Sequence, residues 1–151
     1  MAQKRLKVTP EGSSPIQEKF INCLMKQGKK SIAERIFHDA MEIIASKDHK
    51  DPVKVFERAL ESIKPTLEVK AKRIGGAVYQ IPMEVKQNRQ TTLSIRWLLA
   101  ACRAKRNAPM AKKLADELIL AANGEGSAIK KRDDVIKMAQ ANKAFDHYAK
   151  Y

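Results

Sequence analysis

The sequence predicts a mainly α fold: a six-helix domain with a protruding two-stranded β-hairpin arm. Three observations carry this. Apolar residues recur at helical spacing in six stretches, most of them bounded by Ser, Asp, Pro or Gly punctuation. One stretch, about 67–86, switches instead to strict alternation around Gly75-Gly76. The 151 residues suffice for one hydrophobic core, and nothing repeats at a period of about 20–50 residues.

Residues 1–13 hold Lys4, Arg5 and Lys7 against one acid, Glu11, without periodicity, and read as a flexible basic N-terminal arm. A single helical domain is expected over 14–151. Ser14 is placed to cap the first helix, with Pro15 at its first position and Gln17 completing a capping box. Ile16, Phe20, Ile21, Leu24 and Met25 then share a face, and Gly28 is the expected stop. A second helix is expected over about 30–47, with a wide stripe from Ile32 and Ala33 to Ile43 and Ile44. Asp51 caps a third with Pro52 at its first position; it buries Val55, Phe56, Ala59, Leu60 and Ile63 and is closed by Pro65.

In the hairpin, Leu67, Val69 and Ala71 alternate with charged residues, as do Tyr79, Ile81, Met83 and Val85 with Gln80, Pro82 and Glu84. Pro82 donates nothing to a ladder, which a ribbon made only of edge strands tolerates. An isolated ribbon is marginal in water, so it packs on helices at its base or is completed by a partner. Helical period returns over about 88–106, with Leu93, Trp97, Leu98, Ala101 and Cys102 inside. A fifth helix follows over about 109–122, burying Leu114, Leu118 and Ile119 and ending at Asn123-Gly124. The last is expected after Lys130-Lys131-Arg132, with Asp133-Asp134 in its first turn and Val135, Ile136, Met138, Ala139 and Phe145 on its apolar side.

Composition narrows the function. No window approaches the roughly 18–20 apolar residues of a membrane span, and no apolar run follows the basic N-terminus, so no secretory signal is expected. Cys23 and Cys102 have no CxxC or Cys/His spacing around them, which excludes a disulfide scaffold or zinc module and suits a reducing compartment. Both thiols lie on or near apolar faces and are expected to be buried and inert. His38, His49 and His147 have no catalytic motif around them, and no phosphate loop is present. Neither an enzyme, nor a cofactor, nor a metal site is expected.

The net charge is the strongest signal. Thirty Lys and Arg against seventeen Asp and Glu leave +13, an excess whose self-repulsion a polyanionic partner relieves. Nucleic acid leads, with an anionic membrane surface second. The cations gather at element ends: Lys26, Lys29 and Lys30; Lys70, Lys72 and Arg73; Arg103, Lys105, Arg106, Lys112 and Lys113; Lys130, Lys131 and Arg132. Four such clusters on one small domain favour a phosphate-tracking surface. With eight aromatics and only Tyr79 of them on a strand, a base-stacking sheet is not expected. The first two helices have the outline of a helix-turn-helix, so a free-standing basic regulator of DNA or messenger RNA stands as the alternative. The wide apolar stripe of the second helix leaves that reading little face for bases.

The hairpin sequence Gly75-Gly76-Ala77-Val78-Tyr79-Gln80-Ile81-Pro82-Met83-Glu84-Val85 closely resembles the arm of the bacterial-type ribosomal small-subunit protein seven family. Val69-Lys70-Ala71-Lys72-Arg73 before it agrees, as do Gly28-Lys29-Lys30 with Ala33 and Ile36-Phe37, and Leu93-Ser94-Ile95-Arg96-Trp97-Leu98. So does the run from Ala128 through Lys130-Lys131-Arg132-Asp133-Asp134 to Phe145, and the likeness covers roughly 14–149. The chain departs from the family before Ser14, where many relatives carry Asp-Pro and an aromatic, and at Asp146, where an acid would weaken a phosphate contact.

The resemblance implies a non-enzymatic constituent of the small ribosomal subunit that binds the 3′ major domain of its rRNA and nucleates head assembly. Its implied rRNA-binding residues are Lys4, Arg5, Lys7, Lys26, Lys29, Lys30, Arg89, Arg96, Arg103, Lys130, Lys131 and Arg132. The arm, through Lys70, Lys72, Arg73, Gly75, Gly76 and Tyr79, is implied to lie at the exit site beside transfer RNA and messenger RNA. Neighbouring small-subunit proteins, one across the messenger's exit path, are the further implied partners. The implied location is the bacterial cytoplasm or an organellar matrix or stroma.

Overall fold

Ser14 opens the first helix, α1 (Pro15–Leu24), through the capping box expected of it. Its Oγ accepts the Gln17 N–H at 3.3 Å, and Gln17 Oε1 accepts the Ser14 N–H at 3.5 Å. The computed structural model describes residues 12–47 and 49–150; the basic N-terminal arm with Lys4, Arg5 and Lys7 lies outside them. The stop differs from expectation. Helix α1 ends at Leu24, and Met25 turns extended while its side chain still packs on the core. Gly28 instead forms a tight turn with Gln27, both at positive φ (73° and 54°), closed by the Lys29 N–H on the Lys26 carbonyl. Apolar periodicity thus outruns the helix by one residue.

Helix α2 (Lys30–Ser46) and helix α3 (Pro52–Ile63) follow, the latter capped by the Asp51 carboxylate on the Lys54 N–H at 3.2 Å. Phe20, Phe37 and Phe56, one from each of the first three helices, meet in a buried triangle with ring centroids 5.2–5.8 Å apart. Two of the three pairs are edge-on, the arrangement the ring quadrupoles favour.

The hairpin pairs β1 (Leu67–Ile74) antiparallel with β2 (Ala77–Glu84), from Ile74 opposite Ala77 to Leu67 opposite Glu84. Gly75 and Gly76, at φ 57° and 87°, supply the two positive-φ positions of this two-residue turn. That turn sets the register, placing Lys72 opposite Tyr79 and Lys70 opposite Ile81. Directly paired residues share a face, so the apolar sets of the two strands lie on opposite faces.

Helix α4 (Gln87–Ala104) packs against α1, α3, α5 (Met110–Ala122) and α6 (Ser127–Ala141). Its buried arc is therefore wider than one stripe. Ile95 and Leu99 join Leu93, Leu98 and Cys102 in the core, whereas Trp97 and Ala101, expected inside, are half-buried. Ser94 shares that arc because its hydroxyl donates to the Thr91 carbonyl at 2.8 Å. Helix α5 also contacts α2 and α3, and buries Leu114, Ala115, Leu118 and Ala121 completely.

Helix α6 starts well before the position expected. It opens at Ser127, so Lys130, Lys131 and Arg132 lie in its first two turns and Asp133-Asp134 beyond the first. A tertiary partner makes this start possible: the buried Glu117 carboxylate of α5 accepts the Ala128 N–H at 3.0 Å. The helix also ends early, at Ala141, and Phe145 belongs to a closing 3₁₀ helix, Lys143–Lys150. Met138, expected on the apolar side, is exposed.

That 3₁₀ helix and α6 pack on the hairpin, which is therefore supported along most of its length. The tip projects, with Arg73, Gly75, Gly76, Ala77 and Val78 exposed, and Lys70, Ala71 and Gln80 are exposed farther down the ribbon.

Candidate nucleic-acid interface

Two cationic clusters far apart in sequence are brought together by the packing of α1 and α2 against α4 and α5. The α1–α2 turn contributes Lys26 and Lys29, α4 contributes Arg103, and α5 contributes Lys113; the four line one groove of about 410 Å³. None of the described residues lining it is acidic. Two of these cations are held from the protein side. Arg103 Nη2 donates to the Leu24 carbonyl at the end of α1 (3.5 Å), and Lys113 Nζ to the Lys105 carbonyl (3.0 Å). Between them lies an apolar floor that includes Met25, Ile32, Ile36 and Met110.

Arg103 also lines a smaller cleft between α1 and α4, together with Cys23, Thr92 and Arg96. Arg96 and Arg103 share a helix face because they stand seven residues, about two turns, apart. Lys19 Nζ reaches across to Thr92 Oγ1 at 3.0 Å. Cys23, expected to be buried, is exposed: the inward face of α1 is Phe20, Ile21 and Leu24, and Cys23 lies off it.

The remaining candidates divide. Lys30 pairs with Glu18 at 3.0 Å and Arg89 with Glu68 at 3.4 Å, so both carry a local counter-charge. Lys130 and Lys131 are exposed on α6. Arg132 is engaged inward: its guanidinium donates to the Ser62 carbonyl at the end of α3 and, at 2.7 and 3.0 Å, to Asp133 Oδ1. On the hairpin, Lys70 and Lys72 border a small cavity with Ile81, Met83 and Ala149, and Lys72 Nζ donates to the Tyr148 carbonyl at 3.4 Å. Tyr79 is half-buried against Phe145 and Tyr148. Arg73, Gly75 and Gly76 remain open at the tip.

One residue the sequence reading passed over is Glu117. It is fully buried and pairs with Lys105 Nζ at 2.6 Å while capping α6. Its position on the Leu114–Leu118–Ala121 face of α5 was the available signal: a carboxylate in an apolar stripe requires a partner. Burial, with the Glu117 charge adding, pushes the nearby Cys102 thiol up from its ordinary 9.0 to about 12. Held protonated, Cys102 donates to the Lys113 carbonyl and is no nucleophile at neutral pH. Among the described residues no group of three or more His, Cys, Asp or Glu is placed to hold a metal ion. No described helix is long and apolar enough to cross a membrane.

Comparison with known proteins agrees with the hairpin resemblance. Residues 1–143 match the family model for ribosomal protein S7p/S5e. The small ribosomal subunit protein uS7 of Leptospira biflexa is 50% identical over 155 aligned residues, covering 98% of this chain and 99% of that one. Its counterpart in Moorella thermoacetica is 58% identical over 130, covering 86% and 83%. That of Solibacter usitatus is 54% identical over 136, covering 90% and 87%. These are ribosomal proteins, not enzymes. With this match along nearly the whole chain, over a helical body and a paired hairpin, the chain belongs to the ribosomal protein S7p/S5e family.

Proposed function

We propose that the chain is a structural constituent of the small ribosomal subunit, binding its rRNA by charge and shape. The carrying observation is the nearly full-length similarity to small-subunit proteins. The acid-free cationic groove supplies the physical means. Clustered Lys and Arg displace condensed counterions from phosphates, and a helical body holds them at fixed separations. Lys26, Lys29, Arg96 and Arg103 belong to this surface, Lys130 and Lys131 form a second exposed cluster, and Arg132 contributes by joining α6 to α3.

In this reading the body engages the 3′ major domain of the rRNA and nucleates assembly of the head. The hairpin tip, with Arg73 and the Gly75-Gly76 turn, stands at the exit site near transfer RNA and messenger RNA. A neighbouring small-subunit protein lies across the messenger's exit path. The location is a bacterial cytoplasm or an organellar matrix or stroma. The test is sedimentation of the native protein from a cell extract: it travels with small subunits. Recovery as a free protein on DNA or messenger RNA would favour the regulator instead.

A further inference from the structure

The groove between the α1–α2 turn and α4–α5 is more than a phosphate clamp. Backbone tracking accounts for its four cations and leaves its floor unexplained. Ile32 is 47% exposed, and it lines the groove together with Met25 and Met110. A duplex presents phosphates outward and keeps its bases stacked, so it has nothing apolar to set on that floor. An unpaired nucleotide offers both parts: a base face for the apolar residues and phosphates for the rim. Lys26 and Lys29 stand on that rim, and Arg103 is anchored by its bond to the Leu24 carbonyl. The acid-free cationic lining attracts an acidic amphipathic peptide as well as RNA, so charge alone does not choose between them. Apolar residues outnumber the cations in the lining, but the apolar surface they expose is small, too little to seat an amphipathic helix and enough for the face of one base.

We propose that this groove is a binding site for one extruded, unpaired nucleotide of RNA, its base on Ile32, Met25 and Met110 and its phosphates on Lys26, Lys29 and Arg103. The inference rests on the rRNA-binding reading above and names the class of structure recognised. Base contact at this position is apolar and sequence-tolerant, so it selects a shape rather than a letter.

Two measurements test it with the full-length protein and deproteinised small-subunit rRNA. Ile32→Ser, a half-exposed change that leaves the core intact, weakens binding about tenfold and leaves the salt slope unchanged. Lys29→Gln weakens binding and flattens the slope by about 0.7–0.9. A photo-crosslinking amino acid at position 32, in assembled subunits, then attaches to a nucleotide outside any helix. Wild-type affinity for Ile32→Ser, or attachment to a protein, to a paired nucleotide or to nothing, overturns the site. If the parent protein itself fails to prefer small- over large-subunit rRNA, the reading beneath the site falls first, and that result is distinct from all of these.

Discussion

Tyr79 in β2 stacks on Tyr148 of the closing 3₁₀ helix, ring centroids 5.7 Å apart and planes inclined at 29°. Phe145 completes the cluster at 5.2 Å from Tyr79, and the Lys72 ammonium bonds the Tyr148 carbonyl. A ribbon whose two apolar sets lie on opposite faces cannot bury both by itself. The C-terminal segment covers one of them through Phe145 and Tyr148.

Tyr148→Ala should therefore loosen the hairpin without unfolding the helices. Each aromatic pair is worth about 0.5–1.5 kcal/mol beyond its area. Amide exchange in β1 and β2 should accelerate several-fold, while amides of α3 and α5 keep their protection. Unchanged exchange in the strands would show that the turn and the base alone hold the ribbon.

The α6 cluster should split into two behaviours. Replacing Lys130 and Lys131 by Gln should leave the melting temperature in place and flatten the salt dependence of rRNA binding by about 0.7–0.9 per lost phosphate contact. Arg132→Gln should instead destabilise by about 1–3 kcal/mol, because the Ser62 carbonyl loses a charged donor. Thermal melts beside salt titrations separate the two; a stability loss in the lysine variant would contradict the assignment.

Glu117→Ala should destabilise by about 1–3 kcal/mol, since it leaves the Ala128 N–H at the start of α6 without its acceptor, while the partly exposed Lys105 turns to water. Glu117→Gln keeps an acceptor for the Ala128 N–H and should cost less. Gly126→Ala should also destabilise: φ is 100°, and an added Cβ would stand 2.8 Å from Glu117 Oε1. Urea denaturation ranks the three, and equal losses for Ala and Gln at position 117 would refute the capping role.

Cys102 makes stability depend on alkaline pH. The folded state holds this thiol proton more tightly than the unfolded chain does, so the contribution is complete below about pH 9. It is lost as pH rises toward about 12. The urea midpoint should fall more steeply over that window for the parent than for Cys102→Ala. At pH 8 a thiol reagent should label only Cys23 in the native protein and both cysteines after denaturation.

Trp97→Ala should cost about 1.5–3 kcal/mol, below the range for a fully enclosed Trp, because the side chain packs on the core while half-exposed. If melting is unchanged while rRNA binding is lost, Trp97 is an RNA contact rather than a packing residue.

What the sequence by itself determined was local. The Ser14–Gln17 capping box, the Asp51-Pro52 start, the Gly75-Gly76 turn and the change of period at residue 67 each act over a few neighbouring residues. Any chain carrying them is biased to the same elements, and the excess of cations is a sum that needs no fold. Tertiary structure decided the rest. It set where α6 begins, because its cap is a carboxylate on α5, and which α4 residues are buried, because that helix has four helical neighbours. It separated Arg132, turned inward, from Lys130 and Lys131, and it joined Lys26 and Lys29 to Arg103 and Lys113 across one groove. Side chains some eighty residues apart meet only when the apolar faces of their helices are buried together, and no spacing within a window reports that distance.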